Sequence, residues 1–218
     1  VMPENAQQVK QNAVAGYGGR ITLCEATLEA RERTAEEVIA RTGATFIHPY
    51  DDPRIIAGQA TASRELLEEA GPLDAIVAPL GGGGLLSGTA LTARYAGGAT
   101  AIFGAEPAGA DDAYRSFQAG ELIPSVAPRT TADGLLTSLS ELTFSILRDG
   151  VREIFVVDDA AIAAEMRNVW ERMKTVIEPS AAVPIAAVVA NADRFRGQRV
   201  GVIFSGGHVA LERVPWQA

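Results

Sequence analysis

Lysine is almost missing from this chain: of 19 basic residues only Lys10 and Lys174 are lysine, set against 27 acidic residues. The formal net charge of −8 argues against nucleic acid or an anionic membrane as a partner. Cysteine occurs once, as Cys24 in an apolar setting, so an intrachain disulfide is impossible and a reduced, cytoplasmic protein is expected. No apolar stretch reaches the ~18 residues a membrane span needs, and no charged-then-apolar leader opens the sequence. Internal repeats and low-complexity segments are also missing.

What is present is the material of a globular protein. The 218 residues are 47% hydrophobic and 21% charged, enough for one large or two modest domains with a substantial core.

Four consecutive glycines, Gly81 to Gly84, follow the apolar run Ala75-Ile76-Val77-Ala78-Pro79-Leu80. That run reads as a buried parallel strand, and Leu85 to Tyr95 reads as a helix. Strand, glycine loop and helix together bring backbone N–H groups and a helix N-terminus onto one anion, unless the glycines form only a flexible turn. Glycine suits the task because a Cβ would block close approach. The pattern is neither G-x-G-x-x-G nor a lysine-bearing phosphate loop, which weakens nucleotide readings.

Strand and helix patterns alternate along the rest of the chain, predicting an α/β fold with open, mainly parallel twisted sheets flanked by helices. Helices are predicted over 5–17, 27–42, from Asp52-Pro53 to about Ala70, near 112–119, over 142–149, from Asp158 or Asp159 to about Ile177, and over 179–195. Strands are predicted over 20–24, 44–48, 75–80, 99–105, 153–157 and 199–204. Ser205-Gly206-Gly207-His208 then forms a loop at the carboxyl end of the last strand, where parallel sheets gather their ligands.

Val77 to Gly88 resembles the phosphate loop of the fold-type II pyridoxal-phosphate (PLP) enzymes of the serine/threonine dehydratase and serine racemase family. The likeness continues through Ile56-Ala57-Gly58-Gln59-Ala60-Thr61, Ala105-Glu106-Pro107, Thr131-Ala132-Asp133-Gly134, Trp170-Glu171-Arg172-Met173-Lys174, Ile177-Glu178-Pro179-Ser180-Ala181 and Phe204-Ser205-Gly206-Gly207. The motifs keep the family's order and spacing from residue 1 to about 211. By the resemblance, residues 1–50 are the C-terminal part of a small domain and 51–218 most of the large cofactor-binding domain, a tryptophan-synthase-β-like arrangement incomplete at its N-terminus. The family's Schiff-base lysine falls upstream of Val1 and neither Lys10 nor Lys174 matches it, so no catalytic residue is assigned in this chain.

The resemblance implies further roles. Gly81, Gly82, Gly83, Gly84 and Leu85 would offer N–H groups to the PLP phosphate, and Gly134 would bring backbone close to the cofactor ring. Ser205 would hydrogen-bond the pyridine nitrogen. A hydroxyl there moderates the ring as an electron sink and favours rapid loss of a β-hydroxyl. Glu178 is either a first-turn carboxylate favoured by a helix dipole or a group near the ring. Glu106, Asp112 and the Ala110 carbonyl match a divalent-cation site of the racemase branch, an oxygen-only set suited to Mg²⁺, Mn²⁺ or Ca²⁺; plain helix capping is the other reading. Tyr50 stands near substrate or is buried packing. His208 departs from the asparagine common at its position.

The activity implied is β-elimination of L-threonine or L-serine to a 2-oxo acid and ammonia, with serine racemase or 3-hydroxyaspartate dehydratase as the alternatives. A non-catalytic PLP-binding fragment is the alternative of another class. A homodimer is expected, as is association with the missing N-terminal segment. The end of the chain shortly after Leu211 implies the short form without a regulatory domain.

Overall fold

The structure, a computed structural model, describes residues 1–96, 98–212 and 214–217. The chain divides into two compact units, one comprising Val1–Ile47 with His208–Ala218 and the other His48–Gly207.

In the first unit β1 (Met2–Pro3) pairs in parallel with β2 (Leu23–Cys24), and α1 (Gln8–Gly16) buries none of its residues. The next helix, α2 (Leu28–Thr42), starts where the Thr27 hydroxyl accepts from the Ala30 N–H. It ends where Gly43 turns left-handed at φ 68°. The strand expected over 44–48 does not form: Ala44–Ile47 are exposed and belong to no sheet among the described residues, and an extended run outside a ladder is not held as a strand.

The second unit opens with α3 (Pro53–Ala70), whose Asp52 side chain accepts from the Arg54 N–H. Next come β3 (Ala75–Pro79), α4 (Gly84–Ala96), β4 (Ala101–Pro107), α5 (Asp112–Ala119), α6 (Glu141–Gly150), β5 (Glu153–Val157), α7 (Asp159–Met173), α8 (Pro179–Ala190) and β6 (Val200–Val202). The sheet order is β5-β4-β3-β6, all parallel, with Ala75 opposite both Ala101 and Val200. Every residue of β3 is buried, as a central strand covered on both faces requires. Ile76, Leu80, Leu86, Ile102, Leu147 and Ile154 form the core. Across the α3–α4 contact the Thr92 hydroxyl donates to the Ala60 carbonyl at 3.1 Å.

Two helices stop earlier than their sequence pattern predicts. Lys174 adopts φ 57° and closes α7 at Met173, while Asn191 ends α8 and a short 3₁₀ turn covers 192–195. The strand expected over 99–105 is shifted to 101–107, which carries Glu106 to its carboxyl end.

Candidate active site

Because the strands are parallel, the segments after β3, β4 and β6 leave the sheet at one edge. Continuing the strand register sets Glu106 and Ser205 level with Leu80, immediately before the glycine loop.

The glycine loop is buried, and among the described residues the N–H groups of Gly81, Gly82 and Gly83 donate to no protein acceptor. Buried unpaired N–H groups are rare, and here they sit beside the free N–H groups of the first turn of α4. A phosphate would satisfy both sets. The loop is also closely walled. A Cβ on Gly82 would lie 2.4 Å from the Tyr50 ring, and Gly83, at φ +89°, would place one 2.8 Å from both Leu139 and Thr143. Tyr50 therefore lies against the glycine loop. Its ring meets His48 edge-on at 4.6 Å, and His48 Nδ1 accepts from the Asp51 N–H at 2.7 Å.

Gly134, Glu178, Ser180 and Gly206 converge on a second point. The Gly134 N–H donates to Ser180 Oγ at 3.0 Å, and the Glu178 N–H donates to the Gly206 carbonyl at 3.0 Å. A Cβ on Gly134 would stand 3.7 Å from Glu178 Oε1, and one on Gly206 would stand 3.1 Å from the same oxygen. Glu178 is the N-cap residue of α8, yet its side chain makes no capping bond. The carboxylate instead lies between two glycines, and Ser205 is exposed next to one of them. Sequence patterns single out Gly134, Glu178 and Ser205 but not Ser180, whose only trace is its place after Glu178-Pro179.

The acidic stretch buries two carboxyl groups close to one another. Glu106 is 1% exposed and accepts from the Tyr114 N–H at 2.7 Å and the Ala113 N–H at 3.3 Å, at the first turn of α5. Burial pushes its carboxyl up to about 8, Asp112 adding to the shift and the two N–H bonds opposing it. Asp112 is equally buried and both its carboxylate oxygens lack a hydrogen-bond partner, although Ser125 stands beside it; burial raises its pKa too. Ala110, also buried, falls between them in the chain. Among the described residues no group of three or more His, Cys, Asp or Glu side chains is arranged to hold a metal ion. The stretch is pinned from outside: the Arg129 N–H donates to the Gly109 carbonyl at 2.8 Å, and a Cβ on Gly109 would fall 1.7 Å from the Arg129 carbonyl oxygen.

An open parallel α/β domain with an anion-receptive glycine loop at the carboxyl edge of its sheet is a scaffold that binds a phosphate-bearing ligand at that edge. The chain belongs to the pyridoxal-phosphate dependent enzyme family, whose family model matches residues 1–206. It is 50% identical over 216 residues to a β-hydroxyaspartate dehydratase of Paracoccus denitrificans, covering 99% of this chain and 69% of that protein. It is 46% identical over 218 residues to a serine racemase of Dictyostelium discoideum, covering 98% of this chain and 67% of the relative. The crystal structure of serine racemase from that organism superposes with a TM-score of 0.88 over 97% of this chain and 69% of its own, at 47% identity. The structure of maize serine racemase superposes at 0.92 with 40% identity, over 99% of this chain and 67% of its own. The chain thus spans about two thirds of the length of these relatives.

Proposed function

We propose that this chain is the cofactor-cradling part of a PLP-dependent enzyme that eliminates water from a 3-hydroxy amino acid, with 3-hydroxyaspartate as the favoured substrate. The observation that carries the reading is the set of buried, unpaired N–H groups on Gly81, Gly82 and Gly83 at the start of α4, which fit a phosphate monoester. Likeness to a β-hydroxyaspartate dehydratase at 50% identity moves the substrate away from L-threonine or L-serine, the first expectation from sequence.

Bound PLP supplies an electron sink for the bond pair released at the substrate's α-carbon. The chain's own residues orient it. Gly81 to Gly84 and Leu85 hold the phosphate through N–H groups, and Tyr50 closes one side of that loop. Gly134, beside Ser180 and the Glu178 carboxylate, would bring backbone close to the cofactor. Ser205, exposed beside Gly206, would offer its hydroxyl to the cofactor's ring nitrogen. A neutral hydroxyl at that position would make the bound cofactor a more moderate electron sink than a carboxylate partner would, which suits loss of a β-hydroxyl.

Glu106, Asp112 and the Ala110 carbonyl are proposed to take one divalent cation of the Mg²⁺, Mn²⁺ or Ca²⁺ type. The partnerless Asp112 oxygens favour this over helix capping, because a cation would neutralise two buried carboxylates at once. A homodimer is retained as part of the proposal.

A second reading, serine racemisation, is favoured by likeness to the Dictyostelium discoideum enzyme. One experiment separates the two. Full-length protein is loaded with PLP and reduced with borohydride, and its intact mass is measured. Unreduced enzyme is then supplied with 3-hydroxyaspartate, L-serine and L-threonine. Ammonia and 2-oxo acid released fastest from 3-hydroxyaspartate support the proposal. D-serine accumulating faster than ammonia supports the second reading. A mass with no reduced cofactor adduct and no activity overturns both.

A further inference from the structure

We propose that Asp159 is a positioning residue that sets the backbone wall against the cofactor ring, an inference that rests on the PLP reading above. The N-terminus of α7 already has its cap in Asp158, whose Oδ1 accepts from the Ala161 N–H at 2.7 Å. Asp159 turns its carboxylate to another part of the chain. Its Oδ1 accepts from the Thr130 hydroxyl at 2.5 Å and its Oδ2 from the Thr131 N–H at 2.8 Å.

The two bonds begin a continuous series. Thr130 Oγ1 accepts in turn from the Ala132 N–H at 3.1 Å. The Asp133 N–H donates to the Thr131 carbonyl at 3.0 Å, the Gly134 N–H to Ser180 Oγ at 3.0 Å, and the Leu135 N–H to the Ala132 carbonyl at 2.9 Å. All five N–H groups from Thr131 to Leu135 are thereby committed in a segment that belongs to no strand. Side chains supply three of the five acceptors, and Asp159 governs two of those, one directly and one through Thr130. At its far end the segment presents Gly134 beside Ser180 and Glu178. Its near end is held by the Gly109–Arg129 backbone bond. Without Asp159 the Thr131 N–H loses its acceptor and the Thr130 hydroxyl is free to rotate, so the stretch leading to Gly134 is loosened and Gly134 depends on its Ser180 bond and the Leu135–Ala132 bond alone.

A bland role exists for this carboxylate, since any acid in a first helical turn gains from the helix dipole. That role predicts a change in stability alone. The test therefore reads the segment and the cofactor separately, on full-length protein. Amide hydrogen exchange of 131–135 is followed in the PLP-free form, and PLP dissociation constants come from absorbance titration. The variants are Asp159→Ala, Asp159→Asn, Thr130→Val and Thr130→Ser.

Losing a charge-assisted hydrogen bond corresponds to an effect of about tenfold or more. Asp159→Ala and Thr130→Val are expected to speed exchange across 131–135 by about tenfold or more, with β3 and α8 amides unchanged, and to weaken PLP binding to a similar extent. Thr130→Ser keeps the hydroxyl and stays within twofold of wild type in both readouts. Asp159→Asn keeps one acceptor oxygen and falls between; it carries the comparison with Thr130→Val should the alanine variant not fold. Faster exchange with unchanged PLP affinity, or no change in exchange, overturns the inference. Wild-type protein that takes up no PLP overturns the PLP reading instead.

Discussion

Replacing Glu106 by glutamine is expected to flatten the pH dependence of folding stability in the absence of divalent cations. Glu106 carries a carboxyl pushed from 4.5 up to about 8, chiefly by burial. An acid raised in the folded state is protonated there while the unfolded chain is already ionised. Its stabilising contribution is fully present below about pH 4.5 and is lost as pH rises toward about 8. Each pH unit in that window costs roughly 1.4 kcal/mol, so Glu106 takes about 3 kcal/mol from stability on going from pH 4.5 to 7. Asp112, raised by the same burial, steepens the fall. Glutamine keeps an acceptor for the Tyr114 N–H and ionises at no pH, so only the Asp112 contribution survives. The assay is urea denaturation from pH 5 to 8 in chelator, comparing the slopes of stability against pH. Adding Mg²⁺, Mn²⁺ or Ca²⁺ at about 100 times its dissociation constant should restore about 2.7 kcal/mol to wild type near neutral pH and almost nothing to the variant. Parallel pH profiles for wild type and Glu106→Gln would refute the reasoning, because Glu106 would then titrate as an ordinary exposed acid.

Gly83→Ala combines a left-handed backbone with a Cβ 2.8 Å from Leu139 and Thr143; a loss of about 1–3 kcal/mol is expected in thermal denaturation, with PLP binding lost in absorbance titration. Ser140→Ala removes the side-chain half of the capping box of α6, in which the Thr143 N–H donates to Ser140 Oγ at 3.1 Å. It should cost about 1 kcal/mol in urea denaturation and leave PLP affinity unchanged. Leu147→Ala empties a fully buried site in the core and is expected to cost about 2–5 kcal/mol by the same measurement.

Features governed by local chemistry were readable from the residues alone. The fully apolar run of β3 and its glycine loop declare themselves, and Asp52-Pro53 marks the start of α3. Glu106 and Asp112 were visible as an acidic stretch after a strand. What sequence could not show depends on partners distant along the chain. Ala44–Ile47 looks like a strand, but strand formation is decided by a neighbour it does not have among the described residues. Asp158 and Asp159 are equivalent as candidate caps; only the fold reveals that one serves α7 and the other the segment at Thr130. Tyr50 gave no sign that it lies against Gly82, a contact between residues more than thirty positions apart.

The contact between Gly109 and Arg129 has a consequence for how this sequence can drift. A Cβ at 109 would meet a main-chain oxygen at 1.7 Å, so no rotamer change in a neighbour can make room for it. Any other residue there acts as a wedge between two segments, one leading to the acidic pair and the other to Gly134. Gly58, by contrast, faces open space within 4 Å. In a saturation library scored for folded protein, position 58 should accept most residues, whereas position 109 should return glycine alone.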